Sequence, residues 1–387
     1  MPNLPLTGLK VIELAGLGPV PFAGMMLADM GAEVILVEKK LPHMSAADPA
    51  ANREMAKQVI FNRGKKSIAV DLKSEPGREL ILKLVEDADF IMEGFRPGVV
   101  ERLGVGPEVC FERNKKLIYG RMTGWGQTGP LSHAAGHDPN YIGLSGALWY
   151  GGGESRAPRA PLSLVGDVGG GSFIFVWGLL CAYLESLKSG EGQVVDSAIT
   201  DGSAYLSSLL WVMRNIGQIQ DELGKGWPDG AAPWNDTYKC ADDGYINICS
   251  LEPQFYQELI QKLGLGNDEV FKNQWDMSFW PEGKQKLAEL FASKNRDHWC
   301  ELLEGTDVCF SPVLNFEEAS EHPHNKARNT FLNIDGVIQP APAPKFSRSK
   351  PSVGVPPGVG EHTEQVLESV GYSRSEIEQF RNLGVVL

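Results

Sequence analysis

The sequence is short of positive charge, and its longest uninterrupted apolar run is too short to span a bilayer. Its 387 residues include 36 Lys and Arg against 49 Asp and Glu, a formal net charge of -13. Broad nucleic-acid binding requires a basic face, so this balance disfavours it, although a local cation cluster can still hold one phosphorylated ligand. A chain of this length exceeds one ordinary core, and two domains are expected.

Paired cysteines and a secretory leader are also missing. No CxxC spacing occurs, which argues against a zinc site or a disulfide framework and favours free thiols in a reducing compartment. The N-terminus has no basic segment followed by an apolar stretch. The longest apolar run, 173–184, is too short to cross a membrane and is typical of a buried helix. We therefore expect a soluble, cytoplasmic protein without a membrane partner.

What the sequence does contain is the pattern of an α/β fold. Residues 9–14 and 34–37 are predicted strands flanking a helix at 24–30, which is a β-α-β unit of a doubly wound, Rossmann-like sheet. Gly16 and Gly18 follow the first strand, but the third glycine of a dinucleotide fingerprint is absent. The glycine pattern supports the doubly wound fold, but it is only weak support for a nicotinamide-binding site.

The domain prediction rests on a change of pattern near Trp227. From there a predicted antiparallel hairpin and several helices replace the alternation of strands and helices. The predicted organisation is a large α/β domain at 1–197 completed by about 335–387, a helical linker at 198–226, a small α+β domain at 227–325, and a return segment at 326–387.

Four cations follow predicted strands or the turns after them: Lys39, Lys73, Arg96 and Arg102. Ligands of open α/β sheets bind at this carboxyl edge, so together these side chains could clamp the phosphates of a large anionic ligand. Taken singly, each is explained equally well as solvated surface charge.

Two glycine-flanked loops carry titratable residues. His137 carries an imidazole, a group whose reference pKa of about 6.5 in model peptides suits proton transfer near neutrality. Asp167 precedes three glycines and a helix predicted from about Ser172, where unpaired main-chain N–H groups could hold an enolate oxygen. A structural loop histidine and a simple helix cap are about equally compatible with these residues. His322 and His324 lack a third nearby metal ligand and are assigned to the surface.

A series of motifs extends this pair of loops over nearly the whole chain. With them the sequence resembles the α-methylacyl-CoA racemases of the family III CoA-transferase superfamily. The motifs are LTGLKVIEL at 6–14, EGFRPG at 93–98, TGWGQ at 123–127, GHD at 136–138, VGD at 165–167 and EPQF at 252–255.

The resemblance implies an isomerase of lipid and fatty-acid metabolism that interconverts (2R)- and (2S)-2-methylacyl-CoA thioesters. It implies that His137 and Asp167 are bases on opposite faces of the α-carbon, acting through an enolate. Glu252 matches the carboxylate that pairs with the histidine. No metal or separate cofactor is implied, because CoA is part of the substrate.

The resemblance also implies an interlocked homodimer whose active site lies between the large domain of one chain and the small domain of the other. One departure is Lys39, where the racemases often have Arg; a lysine cannot form a bidentate fork. The implied CoA contacts are Lys39, Val70, Asp71, Leu72, Lys73, Gly94, Phe95, Arg96, Arg102, Gly136, Asp138, Pro139, Asn140 and Tyr141.

Two alternatives remain open at this point. A family III CoA-transferase would use Asp167 as a nucleophile and form an anhydride with an acyl group. A non-catalytic CoA-binding protein would need neither base. His137 favours the racemase, since the transferases usually carry a non-basic residue there. The sequence does not identify the acyl chain.

Overall fold

The computed structural model describes residues 4–39, 49–152 and 157–387. The chain forms two compact units. The first comprises Met1–Ser145, Pro161–Leu206 and Asn329–Leu387, and the second comprises Gly146–Ala160 and Ser207–Arg328. Segment 146–160 thus groups with the second unit, and the predicted linker at 198–226 divides between the two after Leu206.

A six-stranded parallel sheet forms the centre of the first unit, in the order β3-β2-β1-β4-β5-β6. The predicted α/β class is confirmed. The direction of winding reverses between β1 and β4, so the loops after these two strands diverge and leave a crevice at the carboxyl edge. The strands are β1 Lys10–Leu14, β2 Glu33–Lys39, β3 Lys66–Val70, β4 Phe90–Glu93, β5 Ile118–Thr123 and β6 Gln193–Ala198.

Helices cover both faces of this sheet, and the strands are accordingly apolar on both sides. Val11 of β1 packs with one layer and Ile12 with the opposite one. The helices of the unit are α1 Pro19–Asp29, α2 Pro49–Lys57, α3 Glu75–Val85, α4 Val99–Arg102, α5 Pro107–Arg113, α6 Asp138–Ser145, α7 Ile174–Ser189, α8 Ile199–Leu206, α15 Thr363–Ser369 and α16 Arg374–Asn382, with a 3₁₀ turn at Ile60–Asn62.

A buried ion pair fastens α1 to the sheet. Lys65 Nζ lies 2.7 Å from the Glu13 carboxylate, and neither side chain is exposed to solvent. Lys65 also donates to the Pro21 carbonyl of α1 at 3.0 Å. Burial raises the pKa of Glu13 to about 7, against the opposing effect of Lys65. Gly24 is required beside this pair, because a Cβ there would overlap the Glu13 carboxylate.

The helix that carries Asp167 begins earlier than the sequence predicts. A π-helical segment, Leu164–Phe173, leads directly into α7, so the predicted start near Ser172 is wrong. Three consecutive glycines predict a break because of their low helix propensity. Here Gly170 instead permits close packing on α8, since a Cβ there would overlap Ser203, and one on Gly202 would overlap the Gly170 carbonyl.

The C-terminal segment covers the outer edge of the sheet. Asp71 N–H donates to the Val385 carbonyl at 2.8 Å, and Val386 forms an antiparallel bridge with Val70. Such cover protects the exposed hydrogen-bonding groups of an edge strand. A hairpin of β10 Phe331–Ile334 and β11 Val337–Pro340 belongs to the same unit.

The second unit contains a three-stranded antiparallel sheet. The predicted hairpin is present as β7 Asn235–Lys239 and β8 Tyr245–Cys249, and β9 Phe310–Val313 adds an edge strand that includes Pro312. Proline within a strand predicts a break, but an edge strand tolerates it. The helices are α9 Ser208–Asn215, α10 Pro253–Lys262, α11 Trp280–Phe291, α12 Arg296–Leu303, α13 Phe316–Glu321 and α14 Pro323–Arg328, with 3₁₀ turns at Trp149–Gly151, Glu269–Phe271 and Met277–Phe279.

Candidate active site

A cleft of about 540 Å³ opens at the carboxyl edge of the parallel sheet. The loops after β1, β4 and β5 form its walls, at the point where the strand order reverses. This is where open α/β sheets bind their ligands. Of the residues predicted to function, the cleft is lined by Gly94, Phe95, Arg96, Gly136, His137, Tyr141 and Asp167.

The loop that presents His137 is fixed by its own neighbours. His137 N–H donates to Asn140 Oδ1 at 3.0 Å, and the Tyr141 hydroxyl donates to the Gly136 carbonyl. The Tyr141 ring meets Trp125 edge to face, with 4.8 Å between ring centroids. A main chain held this way presents the exposed imidazole of His137 at the wall of the cleft.

Asp167 lies on the wall formed by the π-helical segment. Its main-chain N–H donates to Asp138 Oδ1 at 2.8 Å, and Asp138 itself is buried. A Cβ on Gly166 would overlap that same carboxylate oxygen, so glycine is required there. Because Asp138 is bonded directly to His137, one side chain connects the loops that carry the two predicted bases.

Burial raises the pKa of Asp167 above its ordinary value. A hydrogen bond with the Ser163 side chain and the charge of His137 act in the opposite direction, while the charge of Asp138 raises the pKa further. His137 and Asp167 line the same cleft. An aspartate that is protonated more readily than usual suits a group that must both take up and return a proton.

The predicted oxyanion site at the three glycines is wrong. In a π-helix each N–H donates to the carbonyl five residues earlier, so the N–H groups of Gly169, Gly170 and Gly171 are used inside the helix. By contrast, the main-chain N–H of Asp138 donates to no acceptor among the residues that the structure describes. That N–H begins α6, directly after His137.

The four predicted cations all lie on the carboxyl side of the sheet and are exposed. Lys39 ends β2, Lys73 follows β3, and Arg96 follows β4. Arg102 ends α4, with its guanidinium near Gly98. None of them forms an ion pair with another residue in the described part of the chain, so their charge is available to an anion.

The remaining predicted CoA contacts lie in several environments. Val70 is buried and pairs through its main chain with the C-terminal segment, and Asp71 Oδ1 accepts from the Lys73 N–H at 3.0 Å. Leu72 packs against the core. Pro139 and Asn140 are exposed in the first turn of α6. These residues lie outside the lining of the cleft.

Glu252 belongs to the second unit, unlike His137 and Asp167. It is exposed and occupies the N-cap position of α10, where its side chain makes no capping hydrogen bond. The Glu252 carboxylate therefore does not cap α10. Its pairing with His137 stays a prediction.

Two features of the site are not evident in the sequence: the role of Asp138 in positioning Asp167, and the packing of Trp125 on Tyr141. The glycine content of 124–136 was the available signal, since a Cβ on Gly124 or Gly136 would overlap the Tyr141 ring. In the described ranges, no group of three or more His, Cys, Asp or Glu side chains could hold a metal ion.

Comparison with known proteins identifies one family over nearly the whole chain. The model of CoA-transferase family III matches residues 6–363. The chain is 43% identical to α-methylacyl-CoA racemase of Mus musculus, over 98% of this chain and 97% of that protein, and 40% identical to that of Homo sapiens, over 97% and 96%. A crystal structure of a CAIB/BAIF family protein from Brucella suis matches with a TM-score of 0.81 and 26% identity, over 95% of this chain and 100% of that one. The chain belongs to CoA-transferase family III.

Proposed function

We propose that this protein is a racemase that interconverts the (2R) and (2S) forms of 2-methylacyl-CoA thioesters. The observation that supports it most directly is that His137 and Asp167 line the same cleft. Full-length similarity to two named α-methylacyl-CoA racemases adds independent support.

In the proposed reaction, one base removes the α-proton and the other group delivers a proton to the opposite face. The electrons of the broken C–H bond move onto the thioester oxygen to form an enolate, and they return when the new C–H bond forms. For one enantiomer His137 is the base and protonated Asp167 the acid, and for the other the roles exchange. The raised pKa of Asp167 increases its protonated fraction.

The enolate oxygen requires a donor close to the reacting carbon. We assign this role to the main-chain N–H of Asp138, which adjoins His137 and starts α6. A helix N-terminus carries partial positive charge, which stabilises an oxyanion. Glu252 completes the proposed site by accepting from the His137 imidazole and stabilising its charged form.

The cations at the carboxyl edge provide the proposed CoA site. Lys39, Lys73, Arg96 and Arg102 would pair with the phosphates, and Gly94 and Phe95 would contact the substrate where the cleft is lined. No additional cofactor has a part in this proposal, because the thioester itself makes the α-proton acidic.

We propose further that the protein is a homodimer. The helix formed by the π-helical segment and α7, Leu164–Ser189, has a stripe of exposed apolar side chains. Phe173, Trp177, Leu184 and Leu187 fall on one side of it and are each more than half exposed. The opposite side packs on the sheet through residues such as Phe175. Large exposed apolar stripes mark association surfaces.

A membrane is the other environment that could cover this stripe. In the described parts of the chain, Leu164–Ser189 is long and apolar enough to cross a membrane by length and composition, and 39% of its most apolar window is buried. The packing of one side on a parallel sheet favours a second copy of the chain over lipid.

The oligomer prediction can be checked by light scattering coupled to gel filtration. The wild type should show about twice the 42.2 kDa chain mass. Replacing both Trp177 and Leu184 with Glu should shift the population to monomer, since two charges would be buried at the interface. Glu185→Lys, off the stripe on the same helix, should leave the mass unchanged. A monomeric wild type would contradict the dimer.

The activity test uses a single enantiomer of a 2-methylacyl-CoA in D₂O. We expect epimerisation with incorporation of deuterium at the α-carbon. NMR measures the deuterium, and chiral chromatography measures the configuration. Transfer of the acyl group to an added carboxylate without α-exchange would show a CoA-transferase and overturn the proposal. Binding of the thioester without either reaction would indicate a non-catalytic protein.

A further inference from the structure

Arg121 connects the two flanks of the turn at 94–98, which forms part of the cleft wall. Its Nε donates to Glu93 Oε1 at 2.8 Å, just before the turn, and its Nη1 donates to Glu101 Oε1 at 2.7 Å, just after it. Glu93 Oε2 in turn accepts from the Phe95 main-chain N–H at 2.6 Å. None of Arg121, Glu93 and Glu101 lines the cleft itself.

The side chains differ in burial in a way that makes Arg121 the centre of the group. Glu93 is fully buried and Arg121 is 9% exposed, whereas the Glu101 side chain is 44% exposed. A guanidinium can serve two carboxylates at once because its donors point in fixed, different directions. Arg121 therefore joins the end of β4 to α4 through these two hydrogen bonds.

The turn is also held by the Phe95 side chain, which packs against the core, and by the Gly98 carbonyl, which accepts from the Arg102 N–H at 3.3 Å. Its internal main-chain bond runs from the Val99 N–H to the Arg96 carbonyl at 3.1 Å, and Gly98 adopts a left-handed conformation with φ of 82°. The turn carries Arg96, and α4 carries Arg102, two exposed cations of like charge. Holding them at a set spacing requires a fixed relation between the two flanks.

From this arrangement we propose that Arg121 is a positioning residue, which acts through Glu93 and Glu101 to hold the 94–98 turn in the conformation that binds the CoA part of the substrate. The inference rests on the proposed function for its ligand. It assigns Arg121 to substrate affinity, while His137 and Asp167 carry the proton transfer.

Glu101→Gln is the most informative change. A positioning role of the Glu101 carboxylate and a purely electrostatic role predict opposite changes in the affinity for acyl-CoA. Removing a negative charge near bound phosphates should strengthen binding by electrostatics alone. Loss of the charged hydrogen bond to Arg121 should instead loosen the turn. We expect KM for the acyl-CoA to rise roughly three- to tenfold while kcat changes less than about twofold.

A shortened substrate separates this effect from general damage. An acyl-pantetheine thioester lacks the nucleotide and its phosphates, so Glu101→Gln should leave its kcat/KM unchanged. Glu108→Gln is the matched control, since it removes an exposed carboxylate in the first turn of α5. Arg121→Lys keeps the charge but loses the double contact, and it should reproduce the KM effect with thermal unfolding monitored in parallel.

Calorimetric titration with free CoA distinguishes failure of this inference from failure of the proposed function. Weaker CoA binding by Glu101→Gln than by wild type and Glu108→Gln would support it. Equal or tighter CoA binding by Glu101→Gln, or an equal loss of kcat/KM on both substrates, would overturn it. A wild type that binds no CoA would instead contradict the function on which it rests.

Discussion

Replacing His137 with Ala should abolish inversion of both enantiomers but abolish deuterium exchange from only one. Inversion needs both groups, whereas exchange needs only the base that faces the α-proton. The enantiomer whose proton faces Asp167 should therefore still exchange and keep its configuration. For the other, we expect exchange to fall roughly 10²- to 10⁴-fold, the usual contribution of a general base. Asp167→Asn should give the mirror-image result.

The measurement is deuterium incorporation into each pure enantiomer, with configuration assigned by chiral chromatography. His133→Ala is the matched control, because His133 is exposed four residues upstream and is not among the residues that line the cleft. It should change neither rate by more than about twofold. Equal loss of exchange from both enantiomers in the His137→Ala protein would contradict the two-base assignment.

Replacing Lys65 with Met should reduce the free energy of unfolding by about 3–5 kcal/mol. The change leaves the fully buried Glu13 carboxylate without its cation. The folded protein then holds a proton on Glu13 more tightly than the unfolded chain does. Because the folded state binds more protons, stability falls as pH rises above the ordinary glutamate pKa of about 4.5. The loss should consequently be larger at pH 8 than at pH 5.5.

Urea unfolding of Lys66→Met provides the comparison. Lys66 is the next residue, and its pair with Glu33 is about one-third exposed, so a loss of no more than about 1 kcal/mol is expected. Adding Glu13→Gln to Lys65→Met should recover part of the stability and flatten its pH dependence. Equal losses in the two lysine variants would show that the buried pair has no special importance for folding.

The sequence was sufficient to predict the sheet and the edge of the sheet at which the cleft opens. Apolar runs ending at Leu14 and Val37 marked strands with both faces buried, and the turns after them predicted a ligand edge. These signals are local, and the cleft opens where the strand order reverses. His137 and Asp167 were found as single residues, and both do line the cleft.

The remaining features depend on contacts between residues far apart in sequence. Three glycines after Asp167 suggested a helix start, but their function in the structure is close packing between the π-helical segment and α8. The hydrogen bond from the Asp167 N–H to Asp138 spans 29 positions, and no local pattern predicts such a bond. Glu252, in the other compact unit, was reached through family resemblance alone.

The link through Asp138 has a consequence for substrate range. One covalent bond joins Asp138 to His137, and one hydrogen bond joins its carboxylate to the main chain of Asp167. A short internal connection therefore links the main chain at the two proposed bases, and Asp138, which provides it, does not line the cleft. We expect that changes at the outer walls accommodate acyl tails of different length while the two proposed bases keep their spacing. We thus expect the protein to accept substrates that differ in the acyl tail and to be selective for the groups on the α-carbon.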